Sequence, residues 1–397
     1  MQPAEPSRVP ELTLGQLALR FLRYGGLAWG GPIAQIAMLR RELVDEEAWI
    51  GSDRFNRTLA VYQVLPGPEA QELTVFFGTL ARGRLGGLVA GLCFLLPGFV
   101  FMLGLSWFYI EVGIGEPALA AAFAGCQAAV LALIVRGIHR IGSRALHDRH
   151  LWLIAAASAA LGLAGVPFVI PLAGGAVCFA LASRGRRSLA SLALGAVIAL
   201  GLVVSNQAPP TQPSSAGESS GSPGVATLAA SGLRAGALTF GGAYTAIPFV
   251  EADATGDDGW MSRDQFLDGL VLSSVIPAPL VIFATFVGYL GGGTLGAVAM
   301  TVGIFLPAFA ITLLGHRYLE GAVAYPPLHA ALDGVTAGVV GLVAATLIAF
   351  TPVAVNSPLG VITFVAATIT LYVWRASVAV AVVIVVAGLV AAVVAVV

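Results

Sequence analysis

Two acidic residues, Glu69 and Glu72, follow directly on Pro66-Gly67-Pro68 inside an otherwise apolar stretch. An ionisable group placed in such a stretch is costly and marks function by default; a carboxylate there could accept a proton and couple transport to a proton gradient. Glu69 also stands where a helix would start, so capping that helix is the competing reading. Arg23 and Arg234 each lie seven residues before a Gly-Gly pair, Gly30-Gly31 and Gly241-Gly242. Two such guanidiniums could attract or hold a dianion, or they could snorkel to the membrane interface. Arg20 has no counterpart and fits the interface. Gln63, Ser273, Ser274, Thr239, Tyr244 and Thr245 are neutral hydrogen-bonding groups near the same places. Ser and Thr also bond back to their own helices, which keeps a bland account open. Asp333, near the start of an apolar run, is a further candidate or only a cap.

These residues cluster at helix breakers. Gly30-Gly31-Pro32 and Pro66-Gly67-Pro68 interrupt apolar segments, as do Gly241-Gly242 and Pro277-Ala278-Pro279. A broken helix exposes N–H groups and a positive dipole end, which favour an anion, and glycine lets a ligand approach the backbone. A small oxyanion suits that arrangement better than a cation. Small residues also let membrane helices pack closely, and for isolated glycines that account is preferred.

The breakers are written twice. Leu22–Pro32 reads LRYGGLAWGGP and Leu233–Ala243 reads LRAGALTFGGA, and the offset of 211 residues also carries Trp49 to Trp260 and Pro66 to Pro277. With one deletion it continues to Pro97 and Pro307. Gly/Pro-interrupted apolar segments at corresponding places in two halves point to a transporter with its site between repeats. We divide the chain into a first transmembrane repeat over 1–204, a Pro/Ser/Gly linker over 205–224 and a second repeat over 225–397.

Composition fixes the class. Hydrophobic residues make up 58% of the chain and charged residues 10%, with a mean hydropathy of +0.90, too little charge for a soluble surface. Apolar runs of about 20 residues, enough to cross a bilayer, recur along the chain. Helices are expected throughout, because every backbone amide must be satisfied within the membrane. Around Pro66-Gly67-Pro68 the two arms, about 11 and 13 residues, are each too short to span a core of about 30 Å; they read as a re-entrant hairpin facing a cavity. Arg-rich loops at 40–41, 82–84, 136–149 and 184–187 read as cytoplasmic. Their counterparts at 251–268, 291–294 and 351–358 are acidic or uncharged, so the second repeat is inverted. The fold expected is an all-α polytopic membrane protein of two inverted repeats with broken, re-entrant helices at the centre.

The three cysteines, Cys93, Cys126 and Cys178, have no metal or redox spacing, and no basic cluster suits nucleic acid. All 20 basic residues are arginine. His139, His147 and His150 read as solvated, and Trp49 and Trp260 as interfacial anchors. No cofactor or metal is expected.

WGGP at Trp29–Pro32, the Trp49/Phe55 pair, Gln63–Pro68 with its PGP, and the F-x-x-P of Phe94–Pro97 together resemble the chromate ion transporter family, whose long form has two homologous halves. The second repeat departs from the pattern at Ala243 and Ala278. The resemblance implies export of chromate from the bacterial cytoplasm across the inner membrane, driven by the proton gradient or membrane potential. Sulfate, a tetrahedral dianion of similar shape, is not distinguished. The expected site takes in Arg23, Gly30, Gly31, Pro32, Gln63, Pro66, Gly67, Pro68, Arg234, Gly241, Gly242, Tyr244, Ser274, Pro277 and Pro279, with Glu69 and Glu72 as proton-coupling candidates. Chromate or a sulfate-like oxyanion, the lipid bilayer and a second copy of the chain are the partners admitted; nucleic acid is not. Competing readings are a carrier or channel for another inorganic or organic anion and a membrane-bound chromate reductase, the last disfavoured by the lack of flavin, haem or nicotinamide motifs.

Overall fold

A computed structural model describes residues 9–63, 65–113, 116–207, 222–256, 258–323, 326–374, 376 and 378–396. Most of the linker expected at 205–224 lies outside them. The first repeat folds as α1 (Leu14–Gly26), α2 (Gly31–Arg40), α3 (Ser52–Tyr62), α4 (Glu69–Val112), α5 (Pro117–Ala145), α6 (Arg149–Leu163), α7 (Val169–Ala182) and α8 (Arg187–Gln207). The second gives α9 (Val225–Ala237), α10 (Ile247–Ala254), α11 (Arg263–Ser274), α12 (Phe283–Val323), α13 (Pro326–Ala354), α14 (Pro358–Val373) and α15 (Ala379–Val396). Six helices of the described residues are long and apolar enough to cross a bilayer. The architecture is an all-α polytopic membrane protein built from two repeats.

The breakers act as read. α3 and the first part of α4 fold back on each other around Pro66-Gly67-Pro68, so Phe55 stacks on Phe77 with ring centroids 6.4 Å apart. The equivalent arms of the second repeat bring Phe266 against Phe283 at 5.6 Å. α1 and α2 form a second hairpin, a fold-back that the sequence showed only as an interrupted segment. α4 and α12 each bend where the backbone leaves helical geometry, at Arg82-Gly83 and Gly292-Gly293.

The equivalent helices α4 and α12 meet antiparallel: Gly87 abuts Leu313 while Gly91, one turn later, abuts Phe309, one turn earlier. Two copies that run in opposite directions along a shared contact are what an inverted repeat requires. The repeats also interlock, since α5 packs on α14 and α15 while α13 packs on α6 and α7.

Glycine permits the closest of these approaches. A Cβ on Gly25 would collide with the carbonyl of Phe94, and one on the equivalent Gly236 with that of Ile304. The obstacle is backbone, which has no rotamer to yield. Gly25→Ala and Gly236→Ala are each expected to destabilise the fold by about 2 kcal/mol, within the range for overpacking. Thermal unfolding in detergent checks this, and unchanged melting would mean that the hairpins part from α4 and α12 without cost.

One sequence expectation needs correction. Trp49 is no interfacial anchor: it is fully buried, edge-on to Phe77, with its indole N–H donating to Glu47 at 2.8 Å. Trp260 is partly buried and donates to the carbonyl of Val287. In both repeats the ring packs on the second arm of its own hairpin, at Phe77 of α4 and Val287 of α12. His139 and His147 are exposed, as expected, while touching Tyr372 and Phe179 edge-on, and the partly buried His150 bonds Asp148.

Candidate functional site

The helix breaks of opposite repeats meet. Gly67 N–H donates to the carbonyl of Thr239 at 2.8 Å, and Pro66 pairs with Phe240 as an isolated antiparallel bridge. Proline cannot donate, and backbone freed from helical pairing inside a membrane protein must find another partner. Here each break supplies the other's. The crossing relies on glycine: Gly67 has φ +153° and Gly242 φ +120°, values that a side chain disfavours.

Beside this crossing lies a cavity of about 230 Å³. Water takes about 30 Å³ per molecule in the liquid, so the space would hold about seven waters, or one small oxyanion with part of its hydration. One wall is the start of α2, with Gly30 and Pro32; another is α5, with Arg136, Gly137 and Arg140; Tyr244 closes a third. Gly30 adopts the left-handed conformation as the N-cap of α2, and no side chain caps that helix. Its first N–H groups and dipole end therefore remain available to an anion.

Arg136 and Arg140 stand four residues apart on α5 and so share one face. Gly137 between them lets the ring of Tyr244 lie against the helix; a Cβ there would come within 2.8 Å of it. Arg136 forms no ion pair among the described residues. Arg140 faces Glu69, with Nη2 to Oε2 at 3.9 Å. That distance is too long for a hydrogen bond, and Glu69 Oε2 has no bonded partner among the described residues. One turn on, Glu72 is fully buried and neither of its oxygens is bonded to any of the described residues. It sits under Gly67, where a Cβ would lie 3.0 Å from its carboxylate.

Of the residues singled out in the sequence, Gly30, Pro32 and Tyr244 line the cavity, and Gly31 adjoins it. Pro66, Gly67, Pro68, Gly241, Gly242, Glu69 and Glu72 form the crossing and its flank. The structure does not bring the others in. Gln63 ends α3, and Ser274 bonds back to Leu270. Pro277 and Pro279 flank Ala278, which packs on Gly98. Arg23 pairs with Glu42 at 3.5 Å and Arg234 with Asp253. These are equivalent positions: Arg23 ties α1 to the segment 41–46 that continues from α2, and Arg234 ties α9 to α10. Asp333 lies 3.8 Å from His329.

Arg136 and Arg140 were missed because they were counted with an Arg-rich loop. The helix in fact continues through Ile138 and Ile141 to Ala145, and the four-residue spacing was the available signal. The charge is one-sided. With α5 laid on α13 from Pro117 and Pro326, one further deletion on, the second repeat has Ala345 and Ala349 for Arg136 and Arg140, and Leu280 and Phe283 replace Glu69 and Glu72.

A family model described as chromate transporter matches residues 15–180 and 226–393. A chromate transport protein of Pseudomonas aeruginosa is 54% identical over 96% of this chain and 92% of its own length. A probable chromate transport protein of Synechococcus elongatus is 29% identical over 85% of each chain. An uncharacterized transporter of Methanocaldococcus jannaschii is 27% identical over 89% of this chain and 88% of its own. No solved structure gives a significant match.

Proposed function

The chain belongs to the chromate transporter family, and on that premise we propose that it is a secondary active transporter that exports chromate across the bacterial inner membrane. The observation that carries this reading is the cavity, where Arg136 has no ion-pair partner among the described residues, Arg140 is only loosely held by Glu69, and the uncapped start of α2 lines the same space. Charge-assisted contacts from guanidinium and backbone N–H suit a tetrahedral dianion. Sulfate has the same charge and shape and is the expected competitor.

Charge balance supplies a route to coupling. Two guanidiniums and one carboxylate give the empty site a formal charge of +1, and a bound dianion takes it to −1. Arg140 turns from Glu69 to the anion, and Glu69 is left as a buried carboxylate without its cation. A proton on Glu69 returns the site to neutrality, which avoids the large cost of an unpaired buried charge. Chromate and a proton thus occupy the site together and cross with a net charge of −1, so the inside-negative membrane potential is what drives them outward; the two hairpins crossing at Gly67 and Thr239 are the parts that would rearrange to expose the site on either side.

Labelled chromate and sulfate offered to everted vesicles, with and without a pH gradient, test the proposal. Saturable chromate accumulation that sulfate inhibits is expected. If neither anion moves and neither competes, the oxyanion reading fails; flux that does not saturate would favour a channel.

On the geometry above, Arg23 and Arg234 brace their hairpins and do not bind the substrate. Both are substantially exposed, and such ion pairs contribute about 1 kcal/mol or less. Arg23→Gln and Arg234→Gln are expected to leave chromate affinity within about twofold of wild type. A larger loss in a binding measurement would return these arginines to the site.

A further inference from the structure

The second hairpin holds a buried acid that the transport cycle above does not use. Asp268, on α11, is 4% exposed. Its Oδ2 accepts from the hydroxyl of Tyr109 on α4 at 2.8 Å, and its Oδ1 accepts from Nε2 of Gln127 on α5 at 2.9 Å. No cationic side chain ion-pairs with it among the described residues. The titratable groups that face it are Tyr109, Cys126 of α5 and Asp264 on its own helix; α10, α12, α13 and α15 add none among the described residues. Tyr109 is itself held, edge-on to Phe286 at 5.0 Å and to Phe123 at 6.0 Å. In the first repeat the equivalent position is the exposed Arg57, so this acid belongs to one repeat only. Gln127 and Arg140 are 13 residues apart on α5, about 20 Å along the helix, which separates the acid from the anion cavity.

We propose that Asp268 is a second proton-binding site, one that ties the re-entrant hairpin of the second repeat to α4 and α5 of the first. The two hydrogen bonds make it fit for both charge states. Ionised, the carboxylate accepts from both neighbours. A hydronium ion gives its proton to Oδ2 and leaves as water, and the new O–H then donates to the phenol oxygen of Tyr109. A hydroxyl can turn from donor to acceptor, while the amide nitrogen of Gln127 cannot; the proton therefore settles on the Tyr109 side and Oδ1 keeps its bond. No contact is lost in either state. A metal cation does not suit the site, since both carboxylate oxygens already face hydrogen-bond donors and a hard cation needs several further oxygen ligands. An ionisable group buried in a membrane protein and spanning two repeats that must move is placed to make that movement depend on protonation.

The test uses the full chain in liposomes and infrared difference spectra recorded on a step from alkaline to acidic buffer, without chromate. A protonated-carboxyl band present in wild type is expected to be lost in Asp268→Asn, whose amide mimics the protonated acid and keeps both hydrogen bonds. Tyr109→Phe, which removes the acceptor of the protonated form, is expected to shift that band. In the same liposomes Asp268→Asn is expected to bind chromate within about twofold of wild type while losing at least about tenfold of the rate response to a pH gradient, a barrier change of about 1.4 kcal/mol. Infrared spectra identical in wild type, Asp268→Asn and Tyr109→Phe would overturn the proposal. If wild type moves no chromate, the transport reading fails, but the infrared arm still decides whether Asp268 takes a proton.

Discussion

Replacing Arg136 by Gln is expected to weaken chromate binding by about 30-fold or more, because truncating one member of a desolvated charge pair costs about 2–5 kcal/mol. Arg136 lines the cavity and has no carboxylate of its own among the described residues, so the whole of its charge is available to a ligand. Losing it leaves no carboxylate behind, and the fold should be little affected. Arg140→Gln behaves differently. It removes the second cation and also strands Glu69, which is 3% exposed; breaking such a buried pair destabilises by about 3–5 kcal/mol. The double variant Arg140→Gln with Glu69→Gln removes both charges and should recover the lost stability without recovering binding. Equilibrium binding of labelled chromate by the purified chain, together with thermal unfolding, separates these outcomes. Arg136→Gln binding within twofold of wild type would move the anion out of this cavity.

The contrast between Arg136 and Arg23 shows what the sequence displayed and what it concealed. The helix breaks were legible because glycine and proline act locally, through φ and a missing donor, whatever packs around them. The repeat was legible because its offset holds at 211 over the first 50 residues of the pattern and shifts only by single deletions after that, and the hairpin at Pro66-Gly67-Pro68 followed from arms too short to span. Arg23 and Arg234 drew attention because they are duplicated. Their partners Glu42 and Asp253 are duplicated at the same offset, and that second match was the overlooked sign of a brace. Arg136 and Arg140 are not duplicated, and charges near a helix end look like any positively charged loop. Only the start of α2 across the cavity and Tyr244 against Gly137 turn them into a wall. The partners of Asp268 are further still from sequence reasoning, since Tyr109 lies 159 residues away. Pairings across an inverted interface leave no local pattern.

Glu69→Gln should separate binding from coupling. In wild type, Glu69 and the anion compete for Arg140; protonating Glu69 removes the competitor, so acidification strengthens chromate binding and, reciprocally, chromate binding draws in a proton. The amide cannot take part. With Arg140 released, the empty cavity carries two uncompensated guanidiniums, and chromate affinity at neutral pH should rise about tenfold, about 1.4 kcal/mol. The affinity should also respond less to pH than that of wild type. Chromate's own protonation is common to both proteins and cancels in the comparison. In proteoliposomes, the same variant should lose accumulation driven by the pH gradient while still exchanging labelled for unlabelled chromate. Glu72→Gln is the internal control. Its carboxylate lies one turn deeper with no cation paired to it among the described residues, so its replacement should leave affinity unchanged. If Glu69→Gln binds chromate with the pH dependence of wild type, the competition for Arg140 is not the coupling step; if Glu72→Gln loses that dependence instead, the proton belongs to the deeper acid.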